Sequence, residues 1–289
     1  MITRHRVAVL VGILMLAAGG LASGGAVSGI NGGSQIAPGV VSWWPGDGYA
    51  DDIINDNAGT LRGSATFAPG QIDQAFSVDG NAGSFVEVPD APNLNFSPTS
   101  PISVDLWAFR NTAAPAQHLL GKRHDCGYSG FDINYQMGFD SRDGAGLFFG
   151  AHQGGVTTGV DLPLATWTHL AATFDGTTFR FFIDGQPAGV GYGTLGLEFA
   201  VPLTIGTSGT CHEAGQGFSG SIDDVELYDR ALTPSEIEAI YQAGRSGRRP
   251  MKTVAICHKP GAPAEHPQIV PFHALTGHLG HGDIRGACP

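Results

Sequence analysis

Apolar and polar residues alternate with a period of two along much of this chain, most clearly over residues 168–175. There Leu170, Ala172 and Phe174 share one face while His169, Ala171 and Thr173 take the other, as in a strand with one face buried. Asp175-Gly176 is a hairpin turn signal. In residues 178–184, Phe179, Phe181 and Ile183 point one way before Asp184-Gly185 turns the chain again. Two adjacent hairpins with apolar inner faces predict a β-sandwich. The 44 Gly and 18 Pro fit many short strands and tight turns. One helix is legible. Thr233 is its N-cap, Pro234 its first residue, Glu236 completes a capping box, and Ile237, Ile240 and Tyr241 form its apolar stripe up to a stop at Gly244.

The N-terminus departs from this pattern. Arg4, His5 and Arg6 precede an unbroken apolar stretch over residues 7–18, and Gly20-Leu-Ala22 follows as a cleavage site. This is the layout of a secretory signal over residues 1–22, and the apolar run is shorter than the roughly 20 residues that span a bilayer. The mature chain is therefore expected to be exported and to lack a transmembrane segment. Residues 23–37 are a Gly/Ser-rich lead-in, 38–244 the sandwich, 245–251 a basic linker (Arg245-Ser-Gly-Arg-Arg-Pro250) and 252–289 a small tail. In an oxidising compartment Cys126, Cys211, Cys257 and Cys288 read as disulfides. Four cysteines allow three pairings, and position along the chain favours Cys126–Cys211 and Cys257–Cys288.

Six segments carry a resemblance. In chain order they are Val40-Val-Ser-Trp-Trp-Pro45, Ala75-Phe-Ser-Val-Asp-Gly80, Phe85-Val-Glu-Val-Pro89, Ile102-Ser-Val-Asp-Leu-Trp107, Thr166-Trp-Thr-His-Leu-Ala-Ala-Thr-Phe-Asp175 and Gly220-Ser-Ile-Asp-Asp-Val-Glu-Leu-Tyr-Asp-Arg-Ala-Leu232. Together they resemble a LamG-like, concanavalin A-like jelly roll. The resemblance implies an all-β fold, a two-sheet antiparallel jelly-roll sandwich closed by one short C-terminal helix, with a small disulfide-stapled tail after it. It also implies a calcium that ties an early turn to the opposite strand. Asp223 alternates with Val225 and Leu227, which places it on the apolar face, so Asp79, Asn81 and Asp223 are the candidate oxygen ligands. The alternative for Asp223 is a carboxylate satisfied by backbone N–H groups. Asp47, Asp51, Asp52, Asp56 and Asn57 lack the spacing of a calcium loop and read as a turn.

Charge narrows the partners. Residues 38–244 hold 7 Lys/Arg and 24 Asp/Glu, a balance of −17, which repels phosphate backbones and makes nucleic acid a poor partner. The enzymatic possibility is Asp224-Val-Glu226. Jelly-roll glucanases, which the chain is similar to, carry paired carboxylates in the pattern Glu-x-Asp-x-x-Glu, but here the acid types are inverted, and both residues are expected to face solvent. Trp107 and Trp167 sit in strand patterns as core residues, Trp43 and Trp44 face opposite ways, and no stripe of exposed aromatics is visible.

Binding chemistry is expected at two rim loops, Lys122-Arg-His-Asp-Cys-Gly-Tyr128 and Thr207-Ser-Gly-Thr-Cys-His-Glu213. A Cys126–Cys211 bridge would pin them together, leaving His124, Tyr128 and His212 to meet a sugar face; the alternative is a staple without a ligand. In the tail, Val254-Ala-Ile-Cys-His-Lys-Pro-Gly261 and Gly277-His-Leu-Gly-His-Gly-Asp-Ile-Arg-Gly-Ala-Cys288 resemble a small Cys/His module of secreted bacterial proteins. His258, His266, His273, His278 and His281 crowd it, and His278-Leu-Gly-His281 has metal-ligand spacing. A unit this small needs a staple, either the disulfide or a metal. The leading expectation is a secreted binding protein without catalysis that recognises an extracellular glycan or protein. Its rivals are a glycan-cleaving enzyme and a structural surface protein. Oligomeric state has no signature in the sequence.

Overall fold

A computed structural model describes residues 37–288 apart from 82, 125–132, 142–143, 210–215, 247–252, 272–273 and 287. The signal and most of the lead-in, Cys126, Cys211, Tyr128, His212 and most of the linker lie outside the described residues. The strands are β1 (Val40–Trp44), β2 (Thr60–Arg62), β3 (Thr66–Pro69), β4 (Gln74–Asp79), β5 (Phe85–Val88), β6 (Ile102–Arg110), β7 (Ala116–Arg123), β8 (Ile133–Asp140), β9 (Gly146–Ala151), β10 (Gly154–Thr157), β11 (Trp167–Phe174), β12 (Thr178–Ile183), β13 (Gln186–Tyr192), β14 (Leu203–Ile205) and β15 (Ser219–Tyr228). Helix α1 (Pro234–Arg245) follows. The tail holds β16 (Thr253–His258), β17 (His266–Pro271), α2 (Leu275–Gly280) and β18 (Ile284–Arg285).

The first fifteen strands form one antiparallel sheet in the order β2-β5-β14-β7-β8-β9-β10-β13-β12-β11-β6-β15-β4-β3, with β1 added to β15. The expected all-β jelly roll is present, but its two sheets are joined. The link is a single pairing of Gly155 in β10 with Tyr192 in β13. Gly191 permits this close crossing, because a Cβ there would sit 1.9 Å from the Gly155 oxygen. At this hinge the sheet folds over a common core. Tyr135, Met137, Phe139 and Phe149 enter from one half, and Leu106, Leu170, Phe174, Phe179 and Phe181 from the other. Phe149 and Phe179 meet across it with ring centroids 6.2 Å apart.

The two predicted hairpins are β11–β12 and β12–β13, and the apolar residues assigned inward lie in or against the core. Helix α1 begins as the sequence predicts: the Thr233 side chain accepts from the Glu236 N–H, and Glu236 returns a bond to the Thr233 N–H. Its end differs. Gly244 is inside the helix, which runs to Arg245 with Ser246 as C-cap. The glycine serves packing, since a Cβ there would lie 2.7 Å from Trp107 Nε1.

The tail is more than a stapled loop. A three-stranded sheet in the order β17-β16-β18 and helix α2 are held by a Cys257–Cys288 disulfide with a Cα–Cα distance of 4.7 Å. Too small for a core of its own, the tail shares one. Ile256 and Val270 cluster with Trp43 and Ile53 of the sandwich.

Gly244→Ala sets helix propensity against this contact. Alanine would favour α1 by roughly 0.5–1 kcal/mol, whereas forcing a methyl against the Trp107 ring costs typically about 1–3 kcal/mol. We expect a melting temperature several degrees lower; a rise would show that α1 does not press on Trp107.

Candidate functional site

The open surface of the sandwich is the outer face of β8, β9, β10 and β13. Side chains alternate along each strand, so the neighbours of core residues point outward. Gln136 lies between Tyr135 and Met137, Gly150 beside Phe149, and Gly155 beside Val156. The register aligns Gln136, Gly150, Gly155 and Tyr192 in one row across four strands. A second row runs His118, Gly138, Phe148, Thr157. The glycines leave a low floor. At its β13 margin stand Val190 and Tyr192, on the same strand face and 59% and 73% exposed. Opposite them are Gln136 and half-buried Phe148.

The β7 flank of this face is walled by the chain that follows β14. Thr204 Oγ1 accepts the Gly209 N–H at 2.7 Å and donates to the Thr207 oxygen at 2.9 Å, so residues 206–209 double back over Gly121 and reach Arg123. Ser208 Oγ donates to Gln136 Oε1 at 2.8 Å. The returning strand brings Gln216, whose Oε1 lies 3.0 Å from His118 Nε2. Burial, then the Arg123 charge, lowers His118 to about 4, so the ring is neutral near pH 7. The two rim loops of the sequence reading thus approach each other through Gly209 and Arg123. Of its three ligand candidates, His124 is exposed and stacks on Phe199 at 4.8 Å, while Tyr128 and His212 lie outside the described residues.

The proposed calcium ligands are not brought together. Asp79 and Asn81 form an exposed turn in which Asp79 Oδ1 accepts the Asn81 N–H at 3.0 Å. Asp79 pairs with Ser219, four residues along β15 from Asp223, or about 13 Å at strand spacing. Asp223 is fully buried, and its Oδ2 accepts the Ile72 N–H at 2.9 Å. The three therefore do not fit one calcium. Asp223 Oδ2 is held by a backbone N–H, as in the alternative reading, while its buried Oδ1 has no hydrogen-bond partner among the described residues.

A bulge explains why Asp223 misses the apolar face. Asp223 pairs with Trp107 and Glu226 with Asp105, so three steps on β15 match two on β6. Asp224, with φ +49°, occupies the extra position. Ile222, Val225 and Leu227 then face the core, and Asp223 and Glu226 share the outer face with Asp105 and Trp107.

This outer face is covered. Tyr241 of α1 stacks on Trp107 at 5.7 Å and lies 5.6 Å from His169, and the tail covers Trp43. Beneath them His169 Nε2 donates to Asp105 Oδ2 at 2.8 Å, Trp43 Nε1 donates to Asp224 Oδ1 at 2.9 Å, and the Tyr228 hydroxyl donates to Glu226. Asp224 is buried and Glu226 half-buried, so neither faces solvent as expected. Burial foremost, then neighbouring carboxylates, raises Asp223, Asp224 and Glu226, the last to about 8.

A family profile described as the concanavalin A-like lectin/glucanases superfamily matches residues 79–238, more than half of the 289-residue chain. The chain belongs to this superfamily. Several solved structures share the fold with this concanavalin A-like chain. Domain 4 of AbnA, a GH43 extracellular arabinanase from Geobacillus stearothermophilus in complex with arabinotriose, is 21% identical with a TM-score of 0.54, over 70% of this chain and 98% of that one. The binding domain of Paraclostridial Mosquitocidal Protein 1 is 13% identical with a TM-score of 0.53, over 81% of this chain and 64% of that one. A Trypanosoma rangeli sialidase is 17% identical with a TM-score of 0.55, over 72% of this chain but 33% of its own. A comparison with curated proteins finds no match.

The covered acids of this concanavalin A-like chain give a pH signature. A carboxyl raised on folding binds more protons folded than unfolded. Its stabilisation is full below the unfolded value near 4 and is lost as pH rises through the folded one. Glu226, at about 8, should cost about 2 kcal/mol between pH 6.5 and 8.5. His118, depressed to about 4, loses its contribution only as pH falls below its unfolded value near 6.5. The melting temperature should fall from pH 6.5 to 8.5, and Glu226→Gln should flatten that fall. An unchanged slope in the variant would contradict the assignment.

Proposed function

We propose that this is a secreted, non-catalytic glycan-binding protein that holds its ligand on the outer face of β8, β9, β10 and β13. The observation that carries the reading is Tyr192, 73% exposed beside Val190 above a floor of glycine. Tyr192 and Val190 stand side by side on one strand face, and contiguous exposed apolar surface marks interaction sites. A tyrosine offers an apolar ring for the C–H face of a sugar and a hydroxyl for its polar groups. Gln136, Thr157 and Phe148 stand within the same two rows to complete such a platform.

Three observations support the finer claims. The balance of −17 over residues 38–244 favours a neutral glycan over an anionic one. The disulfide of the tail fits an oxidising, extracellular setting, and no helix among the described residues is long and apolar enough to cross a membrane. Most glycosidases use two carboxyl groups flanking the sugar bond in a cleft open to water, whereas Asp224 is buried under Trp43 and Glu226 is bonded to Tyr228. Arabinotriose, the ligand of the arabinanase domain, is a reasonable first probe.

The test is calorimetric titration with arabinotriose, followed by a panel of neutral oligosaccharides, on the mature chain and on Tyr192→Ala. An exposed side chain should leave the melting temperature within a degree or two. Affinity for a bound sugar should fall at least about tenfold, roughly 1.4 kcal/mol. Unchanged affinity, or binding to extracellular proteins alone, would overturn the placement. Sugar release abolished by Glu226→Gln would replace the reading with an enzyme.

A further inference from the structure

The tail contains a second convergence of chemistry, separate from the sheet face. His258 ends β16, His278 lies in α2 and Asp283 precedes β18. Asp283 is buried, 4% exposed, and its Oδ1 accepts the Lys259 N–H at 3.0 Å. Its Oδ2 lies 2.9 Å from His258 Nδ1 and 2.8 Å from His278 Nδ1. Two imidazole nitrogens from different elements thus aim at one carboxylate oxygen. Both rings are a quarter exposed, so an ion can reach them from solvent.

We infer that His258, His278 and Asp283 form a site for a divalent transition metal, with zinc the best-suited ion. Two imidazoles and a carboxylate are the donor set such ions favour. The fit is close. Tetrahedral zinc with bonds of about 2.0–2.1 Å separates neighbouring ligand atoms by about 3.3 Å, so the present 2.8 and 2.9 Å contacts need to open by less than about half an ångström. Metal would take the place of the two Nδ1 hydrogens, each ring remaining a neutral imidazole with its proton on Nε2. The thiolates cannot take part, because Cys257 and Cys288 are joined to each other. Metal and disulfide are therefore two staples of the same module. The disulfide ties β16 to the C-terminal end, and the ion would tie β16 to α2 and the turn before β18. Three protein ligands leave a coordination position for water. His266 stands nearby, its ring 5.2 Å from that of His258, with Nδ1 on the Ala264 oxygen.

The experiment uses the oxidised mature chain, stripped with chelator and titrated with zinc. One equivalent should bind tightly. In the unsubstituted protein, nitrogen-detected imidazole spectra should show the Nδ1 signals of His258 and His278 moving on zinc addition ahead of the other histidines. His278→Gln and Asp283→Asn should each weaken binding at least about 100-fold, and His152→Gln, on the sandwich, should leave it unchanged. Peptide mapping of the Cys257–Cys288 bridge and amide exchange over β16 and β17 report whether a variant tail still folds. The site is overturned if the unsubstituted chain takes up no stoichiometric zinc. It is equally overturned if the first imidazoles to respond are others, or if a folded His278→Gln variant binds as well as the parent.

Discussion

One extra residue in β15 decides what each face of this sandwich does. At Asp224 the strand leaves its pairing with β4 and takes up β1, while the ladder to β6 slips by one position. Without that bulge, alternation would turn Asp223 into the apolar core and expose Asp224. With it, Ile222, Val225 and Leu227 close the core, and the acids gather on the opposite side. Their neighbours there are partners for charge: an imidazole on Asp105, an indole N–H on Asp224, a phenol on Glu226. Leaving so many carboxylates against one sheet is tolerable only if donors reach them or protons stay on them. The structure uses both means.

That arrangement needs a cover, and the C-terminal elements supply it. Helix α1 brings Tyr241 and Gly244 down onto Trp107, and the tail lays Ile256 and Val270 against Trp43. The two faces of the jelly roll therefore differ in kind. One is roofed, aromatic and acidic beneath its roof. The other is low, floored by glycine and bordered by exposed Tyr192 and Val190. The acids that resemble a glucanase pair sit on the closed side, and the exposed Tyr192 and Val190 are on the open side. The tail has two dependencies of its own, the disulfide and the histidine–aspartate cluster, because its few apolar residues go to the shared contact with the sandwich.

Local signals in the sequence were sufficient where structure is local. The hairpins at Asp175-Gly176 and Asp184-Gly185, the capping box at Thr233 and Glu236, and the bridge between Cys257 and Cys288 all follow from residues close in the chain or from counting. Non-local packing hid the rest. Nothing near Asp223 announces a bulge whose cause is a change of partner strand. Gly244 reads as a stop because its true constraint, Trp107, lies far away in sequence. Tyr192 is hard to read from the sequence because β13 is glycine-rich and lacks the usual contrast, yet a signal is there. Val190 and Tyr192 alternate with Gly189 and Gly191, two large side chains on one face and none on the other. The acid pair Asp224 and Glu226 reads as solvent-facing because the residues that cover it come from α1 and the tail.

On the proposed function, recognition belongs to the open face and the acidic face is internal structure. Backbone amide chemical shifts, followed as a bound oligosaccharide is titrated in, test this directly. The account predicts that the largest changes fall on Gln136, Phe148, Gly155, Val190 and Tyr192, with Asp105, His169, Asp224 and Glu226 unmoved. Changes centred on Asp105, Asp224 and Glu226, with the β8–β13 face silent, would contradict it.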